Sequence, residues 1–274
     1  TTARRVPLPS APAADPLGAG SFLLGISCEL SIAAARMGIF GDERPPLFFS
    51  AASQVAPLLL FFSAPAPERA VRGGAGYATA EKLRGVAREG GGPVVVVNAM
   101  ESEPASRKDQ FLLAVAPHLV LDGAVLAAEA VGAEVVHVCV PRVRSAQYWQ
   151  VSDAMDERAA VCLDRVSLRL HGLPHAYVSS ESTSLVRWLN GGEARPLGTP
   201  PRSHERGVGR RPTLVHNAET LAHLALVARY GPDWFRQAGT TDEPGTALVT
   251  VSGAVAAPGV LEVGLGTPLG TLLD

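Results

Sequence analysis

The chain has 274 residues, 47% of them apolar and 18% charged, with a formal net charge of -2. That is enough apolar sequence for one large or two smaller domains with a real core, and it excludes an intrinsically disordered chain. A net charge this close to zero leaves no electrostatic footprint for nucleic acid.

Residues 1–68 are rich in Ala and Pro and have poor periodicity, so no fold is assigned to them. Arg4-Arg5 is followed by proline-rich sequence instead of an apolar run, which is unlike an export signal. The most apolar stretch, residues 55–66, is short and holds Pro57 and Pro65, so it cannot span a bilayer. A cytoplasmic location is expected. Cys28, Cys139 and Cys162 have neither metal nor cluster spacing and read as incidental thiols, with no metal site.

From residue 69 an α/β pattern begins. Residues 94–97 are four valines in a row, the mark of a parallel strand buried on both faces. Helices are predicted over 108–116 and 118–131, a strand over 134–140, a helix over 145–160 and a strand over 166–170. Strands alternating with helices predict a parallel sheet with crossovers. Residues 191–211, full of Gly, Pro and Arg, predict a long surface loop. A short strand over 212–215 then leads into a helix over 219–230, with Gly231 just past its end. Residues 247–252 and 260–263 predict a hairpin. Thr267-Pro268 opens a last helix, with Thr as N-cap and Pro at the first position. A hairpin and one helix cannot form a stable domain alone, so this segment either packs on the main domain or belongs to something longer.

Three constellations can carry chemistry. The first is Arg72-Gly73-Gly74-Ala75-Gly76-Tyr77-Ala78-Thr79 with Lys82. Closely spaced glycines let backbone N–H groups approach an anion, and Arg72 and Lys82 add charge that a phosphate can use. The preceding Pro67-Glu68-Arg69-Ala70 does not read as a strand, so a Rossmann dinucleotide loop fails its context. A plain turn ahead of a helix accounts for the loop equally well. The second is Asn98, Glu101, Ser102 and Glu103 at the end of the valine strand, where open α/β sheets take their ligands. An acidic loop with a helix cap explains the same residues, and Arg107-Lys108-Asp109 is expected to pair with those acids. The third is His216-Asn217-Ala218-Glu219-Thr220 at a strand-to-helix junction, half explained by a cap from Asn217. Neither a G-x-S-x-G elbow nor an H-E-x-x-H motif occurs, so hydrolase and metalloenzyme readings have no support.

Taken together and in this order, the motifs resemble the family of flavoprotein (FMN/NADH-binding) subunits of respiratory complex I and of NAD-dependent hydrogenases and formate dehydrogenases. The family pattern G-R-G-G-A-G-F-P-T…K is similar to residues 71–79 and Lys82, with Val71, Tyr77 and Ala78 as departures. N-A-D-E-S-E-P-G…K-D is similar to residues 98–105, Lys108 and Asp109, with Met100 for Asp and Ala105 for Gly. P-T-x-x-N-N-V-E-T-L is similar to residues 212–221, with His216 for the first Asn, and a β-grasp pattern to residues 245–269.

The resemblance implies an α/β, Rossmann-like parallel-sheet FMN-binding domain over 69–241 and a partial β-grasp (soluble ligand-binding) module over 242–274. It implies an oxidoreductase in which FMN takes two electrons and passes them singly to a ferredoxin or other iron–sulfur partner. Arg72, Gly73, Gly74, Gly76 and Lys82 would hold the phosphate end. Asn98, Glu101 and Ser102 would face the ribityl chain and ring. Tyr177, Glu181, His216, Asn217 and Thr220 would close the other side. Tyr77 and Glu103 would meet NADH.

The departures matter as well. The family's Y-x-x-G-E-E-T-A-L reads Tyr177 to Leu185 here, with Ser182 for one Glu, and its K-P-P-F-P reads Thr199-Pro200-Pro201-Arg202-Ser203. Both changes weaken the nicotinamide site, so the expectation is an FMN protein with NADH as only one candidate donor. The family's cluster-binding cysteines are unmatched, so no iron–sulfur cluster is expected in this chain. In this the chain is most similar to truncated actinobacterial relatives that lack the iron–sulfur domain. The alternative is a degenerate, flavin-free scaffold or interaction subunit.

Overall fold

A computed structural model describes residues 78–142, 145–198 and 201–273. Residues 1–68, the glycine-loop residues Arg72, Gly73, Gly74, Gly76 and Tyr77, and Thr199 and Pro200 therefore lie outside the described residues.

Helix α1 (Thr79–Glu89) leads into β1 (Val94–Asn98). Next come α2 (Lys108–Val115), α3 (Pro117–Val131), β2 (Val135–Pro141), α4 (Ser145–Ala160) and β3 (Ser167–Leu173). A 3-10 turn (Tyr177–Ser180) and α5 (Ser182–Leu189) precede β4 (Thr213–Asn217), and α6 (Ala218–Tyr230) and α7 (Pro232–Phe235) follow it. A hairpin of β5 (Thr246–Val251) and β6 (Gly259–Gly264) ends in α8 (Leu269–Leu273).

Four strands form one parallel sheet in the order β3-β2-β1-β4. The chain winds outward from β1 through β2 to β3, then returns to the far side of β1 with β4. This reversal makes a topological switch point between β1 and β4, where sheets of this kind leave a crevice at the strands' C-terminal ends. The four valines of β1 are wholly buried because β1 is internal and both of its faces are covered.

The two faces of the sheet differ. Val95, Val97, Val136, Val138, Val140 and Leu214 pack against α1, α3, α4 and α6 in one large apolar cluster. Alternation sends Val94, Val96, Cys139, Leu173 and Val215 to the opposite face, under Leu185 and Val186 of α5. On the first face α3 and α6 approach closely at Gly123, where a Cβ would lie 1.8 Å from the Leu221 carbonyl oxygen. Arg158 of α4 is buried between Asp122 and Asp164, with an N–O distance of 2.6 Å to each.

The predicted strands and helices are present, with β1, β2 and β4 each running one or two residues past the predicted end. Helix α5 was absent from the sequence expectation. The final hairpin docks on the sheet domain. Leu248 joins the large apolar cluster, the Leu248 N–H donates to Glu219 at 2.6 Å, and the Arg107 N–H donates to the Thr250 hydroxyl at 2.9 Å. Thr267 does not cap the last helix; its hydroxyl donates back to the Gly264 carbonyl, and the helix starts at Leu269.

Candidate functional site

The C-terminal ends of β1 and β4 bring the second and third sequence constellations together. Asn98 and Asn217 are register partners on adjacent strands, and Val97 faces His216. Helix α1, which follows the glycine loop, reaches the same corner: the Lys82 ammonium donates to the Val215 carbonyl at 3.5 Å.

At the end of β1 every polar side chain is engaged. Asn98 donates through Nδ2 to the Ser180 carbonyl at 2.7 Å and accepts from the Met100 N–H at 3.4 Å. The Ser102 hydroxyl donates to the Tyr177 carbonyl and also contacts the Ser180 hydroxyl. Tyr177 donates its phenol to Glu103 at 2.9 Å. These bonds hold the 177–180 turn against the end of β1.

Glu101 is buried at a positive φ of 38°, a conformation few non-glycine residues adopt. Its carboxylate accepts from the N–H groups of Asp109 and Gln110 and from the Ser106 hydroxyl, all within 2.9 Å. Its charge therefore sits on the N-terminus of α2. Lys108 pairs with Asp109 and Glu219, not with the acids at Glu101 or Glu103 as the sequence suggested. Burial pushes the Asp109 carboxyl up to about 6, against the opposing pull of Lys108. Glu181 accepts from the Thr183 and Ser184 N–H groups and is the N-cap of α5.

The end of β4 is different. His216 is buried, and among the described residues neither ring nitrogen has a hydrogen-bond partner. Burial, with the Lys82 charge adding to it, lowers its imidazole to about 3, so the ring is neutral. The Thr79 hydroxyl at the start of α1 is buried and likewise unpartnered. Burial also depresses the Lys82 ammonium. Asn217 caps α6 by accepting from the Thr220 N–H at 2.7 Å, as its position predicts.

A buried orphaned imidazole, an orphaned hydroxyl and a partly desolvated cation at one corner are costly unless something meets them. They fit a polar, anionic ligand entering at the switch point from the side of α1.

Comparison with known proteins is decisive here. Residues 70–226 match the family described as "Nuo51 FMN-binding domain", more than half of the chain. This chain belongs to that family. Its relatives include an NADH-quinone oxidoreductase subunit of Aquifex aeolicus, 31% identical over 210 residues that cover 72% of this chain and 49% of that protein. The corresponding protein of Mycobacterium bovis is 35% identical over 217 residues, covering 74% of this chain and 49% of that protein. Among solved structures, an NAD+-reducing [NiFe]-hydrogenase in the H2-reduced state has a TM-score of 0.75 and 32% identity, covering 82% of this chain and 39% of that one. The chain thus spans about half the length of the curated relatives it matches. The α/β sheet is the flavin-binding architecture of the Nuo51 family. The helix cap that the sequence offered as an alternative for the acidic loop falls on Glu101, whereas the capping role of Glu181 was missed. A Glu just ahead of Ser-Thr-Ser and an apolar Leu185-Val186 pair was a readable signal for α5.

Proposed function

We propose that this chain is an FMN-binding electron-transfer protein that hands electrons to an iron–sulfur partner. The observation that carries this is the corner where the Lys82 charge acts on the buried, orphaned His216 imidazole, one turn of α1 from the orphaned Thr79 hydroxyl, in a member of the Nuo51 FMN-binding domain family. When bound, FMN accepts a pair of electrons as a hydride and returns them one at a time.

The chain's own residues supply binding and orientation. Arg72, Gly73, Gly74 and Gly76 with Lys82 take the phosphate end. Asn98, Ser102, Asn217 and Thr220 line the polar side. His216 offers a neutral imidazole where the family pattern has an amide. Tyr177 and Glu103, joined at the rim, form the approach for a donor. Residues 69–241 form the cofactor-binding unit, and 242–274 an appended β-grasp-type element.

The relatives' names point to NADH or NAD+ as the reaction partner. In this chain the altered 199–203 segment weakens that site, and the acceptor is a ferredoxin or other iron–sulfur electron-transfer partner. Among the described residues no single helix is long and apolar enough to cross a membrane.

Titration of the protein with FMN, followed by quenching of flavin fluorescence, tests the first step. Saturable quenching is expected, and Lys82→Ala should weaken it by about tenfold to a hundredfold, the value of a charge-assisted contact. A protein that leaves FMN fluorescence unchanged is the flavin-free scaffold, and the reading fails. Anaerobic addition of NADH to the FMN complex then tests the donor: little bleaching is expected, and rapid bleaching would show that the nicotinamide site is intact.

A further inference from the structure

To one side of the β1–β4 crevice, over β2 and β3, the α5 face of the sheet carries a second polar cluster. His137 of β2 and His171 of β3 are joined ring to ring, Nδ1 to Nε2, at 2.8 Å. Strand alternation puts His137 on the α5 side, since Val136 and Val138 belong to the opposite cluster and Cys139 to this one. Arg169 is the register partner of His137, and Cys139 that of His171, so the imidazole pair runs diagonally across two strands. Helix α5 covers Leu173 but not the first half of β3, and Arg169 is exposed. Arg211, just ahead of β4, is a further cation whose charge lowers His137. Neither Arg169 nor Arg211 has a side-chain hydrogen bond or ion pair among the described residues.

Two guanidinium groups beside an imidazole pair form an incomplete charge arrangement. In the neutral pair one N–H is spent between the rings. Of the two outward nitrogens, one then carries a proton and the other a lone pair. Adding one proton turns both into donors. Two forked guanidinium groups with two outward imidazole donors suit a tetrahedral oxyanion.

The geometry points to an oxyanion-binding site formed by His137, His171 and Arg169, with Arg211 as an outlying cation, which takes up one proton with each anion. It lies over β2 and β3, to one side of the β1–β4 crevice proposed to hold FMN. The groups facing the pair can be followed element by element. β2 adds the Cys139 thiol, which burial keeps protonated. β3 adds Arg169, and the segment before β4 adds Arg211. β1 presents Val94, Val96 and, level with Cys139, Asn98, whose amide is bonded to the Ser180 carbonyl. On the α5 side Arg142 is already engaged, bonded to the Gly172 carbonyl and stacked 5.3 Å from the Trp188 ring centre. No carboxylate is among the charges acting on either histidine. Burial and the neighbouring cations hold His137 down at about 4 and lower His171, so the pair is neutral at pH 7 without an anion.

The test follows the imidazole ring nitrogens by NMR during titration with sodium sulfate, with chloride holding the ionic strength constant. Sulfate keeps its charge from mildly acidic to mildly alkaline pH, so any proton uptake belongs to the protein. Saturable shifts confined to His137 and His171 are expected. The affinity should rise by up to about tenfold for each pH unit lowered, as uptake of one proton requires. Arg169→Gln and Arg211→Gln should each weaken binding by about tenfold while FMN affinity stays unchanged. Inorganic phosphate as a second probe should compete with sulfate. Shifts that do not saturate, that ignore pH, or that persist in the double Arg169→Gln/Arg211→Gln variant would overturn the site. A fall in FMN affinity with either arginine change would overturn its independence from the β1–β4 crevice.

Discussion

The ends of β1 and β4 lie side by side in the same sheet and are built in opposite ways. At β1, Asn98, Glu101, Ser102 and Glu103 are each bonded to protein, and Glu101 binds a helix N-terminus. At β4, His216, and at the start of α1 Thr79, are buried with no bonding partner among the described residues. The contrast separates two tasks. A rigid wall needs its polar groups satisfied internally, whereas a binding corner keeps some unsatisfied until a ligand arrives. The β1 end is the wall, and the β4–α1 corner is the side proposed to meet FMN.

The change that should break this contrast most strongly is Glu101→Ala. It removes an anionic acceptor from two α2 N–H groups and one hydroxyl, and leaves buried donors unmet. A loss of about 3 kcal/mol is expected, read as a lower urea midpoint of the FMN-free protein. If Glu101 instead served mainly as a ligand contact, the midpoint would hold and only FMN affinity would fall. Glu101→Gln should recover part of the stability, because an amide oxygen can still accept.

This division of labour was only half legible in the sequence. The valine run fixed β1 as an internal strand, and Asn217 ahead of an apolar-faced helix reads as a cap, which it is. Both signals are local. Glu101 and Glu181 stand among polar residues that local pattern cannot sort into ligands and caps. Their partners depend on how the chain turns after β1 and β3. The His137–His171 contact depends on the register of β2 against β3, which a lone histidine in an apolar run does not reveal. The glycine loop is the reverse case: its composition speaks plainly, while its residues lie outside the described structure.

A smaller effect is expected at Asn217, which belongs to both tasks. Asn217→Ala should cost about 1 kcal/mol by uncapping α6. Asn217→Asp keeps the acceptor for the cap but removes the amide donor and adds a negative charge beside an anionic ligand. It should preserve the urea midpoint and lower FMN affinity. Equal loss of both properties in the two variants would mean that capping is all Asn217 does.

The smallest change in stability at neutral pH is expected at His216, and it should have the opposite sign. His216→Leu replaces a buried ring with two unmet nitrogens by an apolar side chain, so the FMN-free protein should gain up to about 1 kcal/mol while binding FMN less well. The acid limb gives an independent check. His216 is lowered from 6.5 to about 3 in the folded chain, so between those values the unfolded chain binds more protons than the folded one. Stability present above about pH 6.5 is therefore lost as the pH falls toward 3. The variant should lose about one proton from that dependence, a slope smaller by up to about 1.4 kcal/mol per pH unit. His118, His137, His171 and His223, also lowered, contribute to the remainder. Urea titrations at several pH values in that window would decide it. An unchanged slope together with reduced stability would mean that His216 is satisfied within the protein, and the distinction between the two strand ends would collapse.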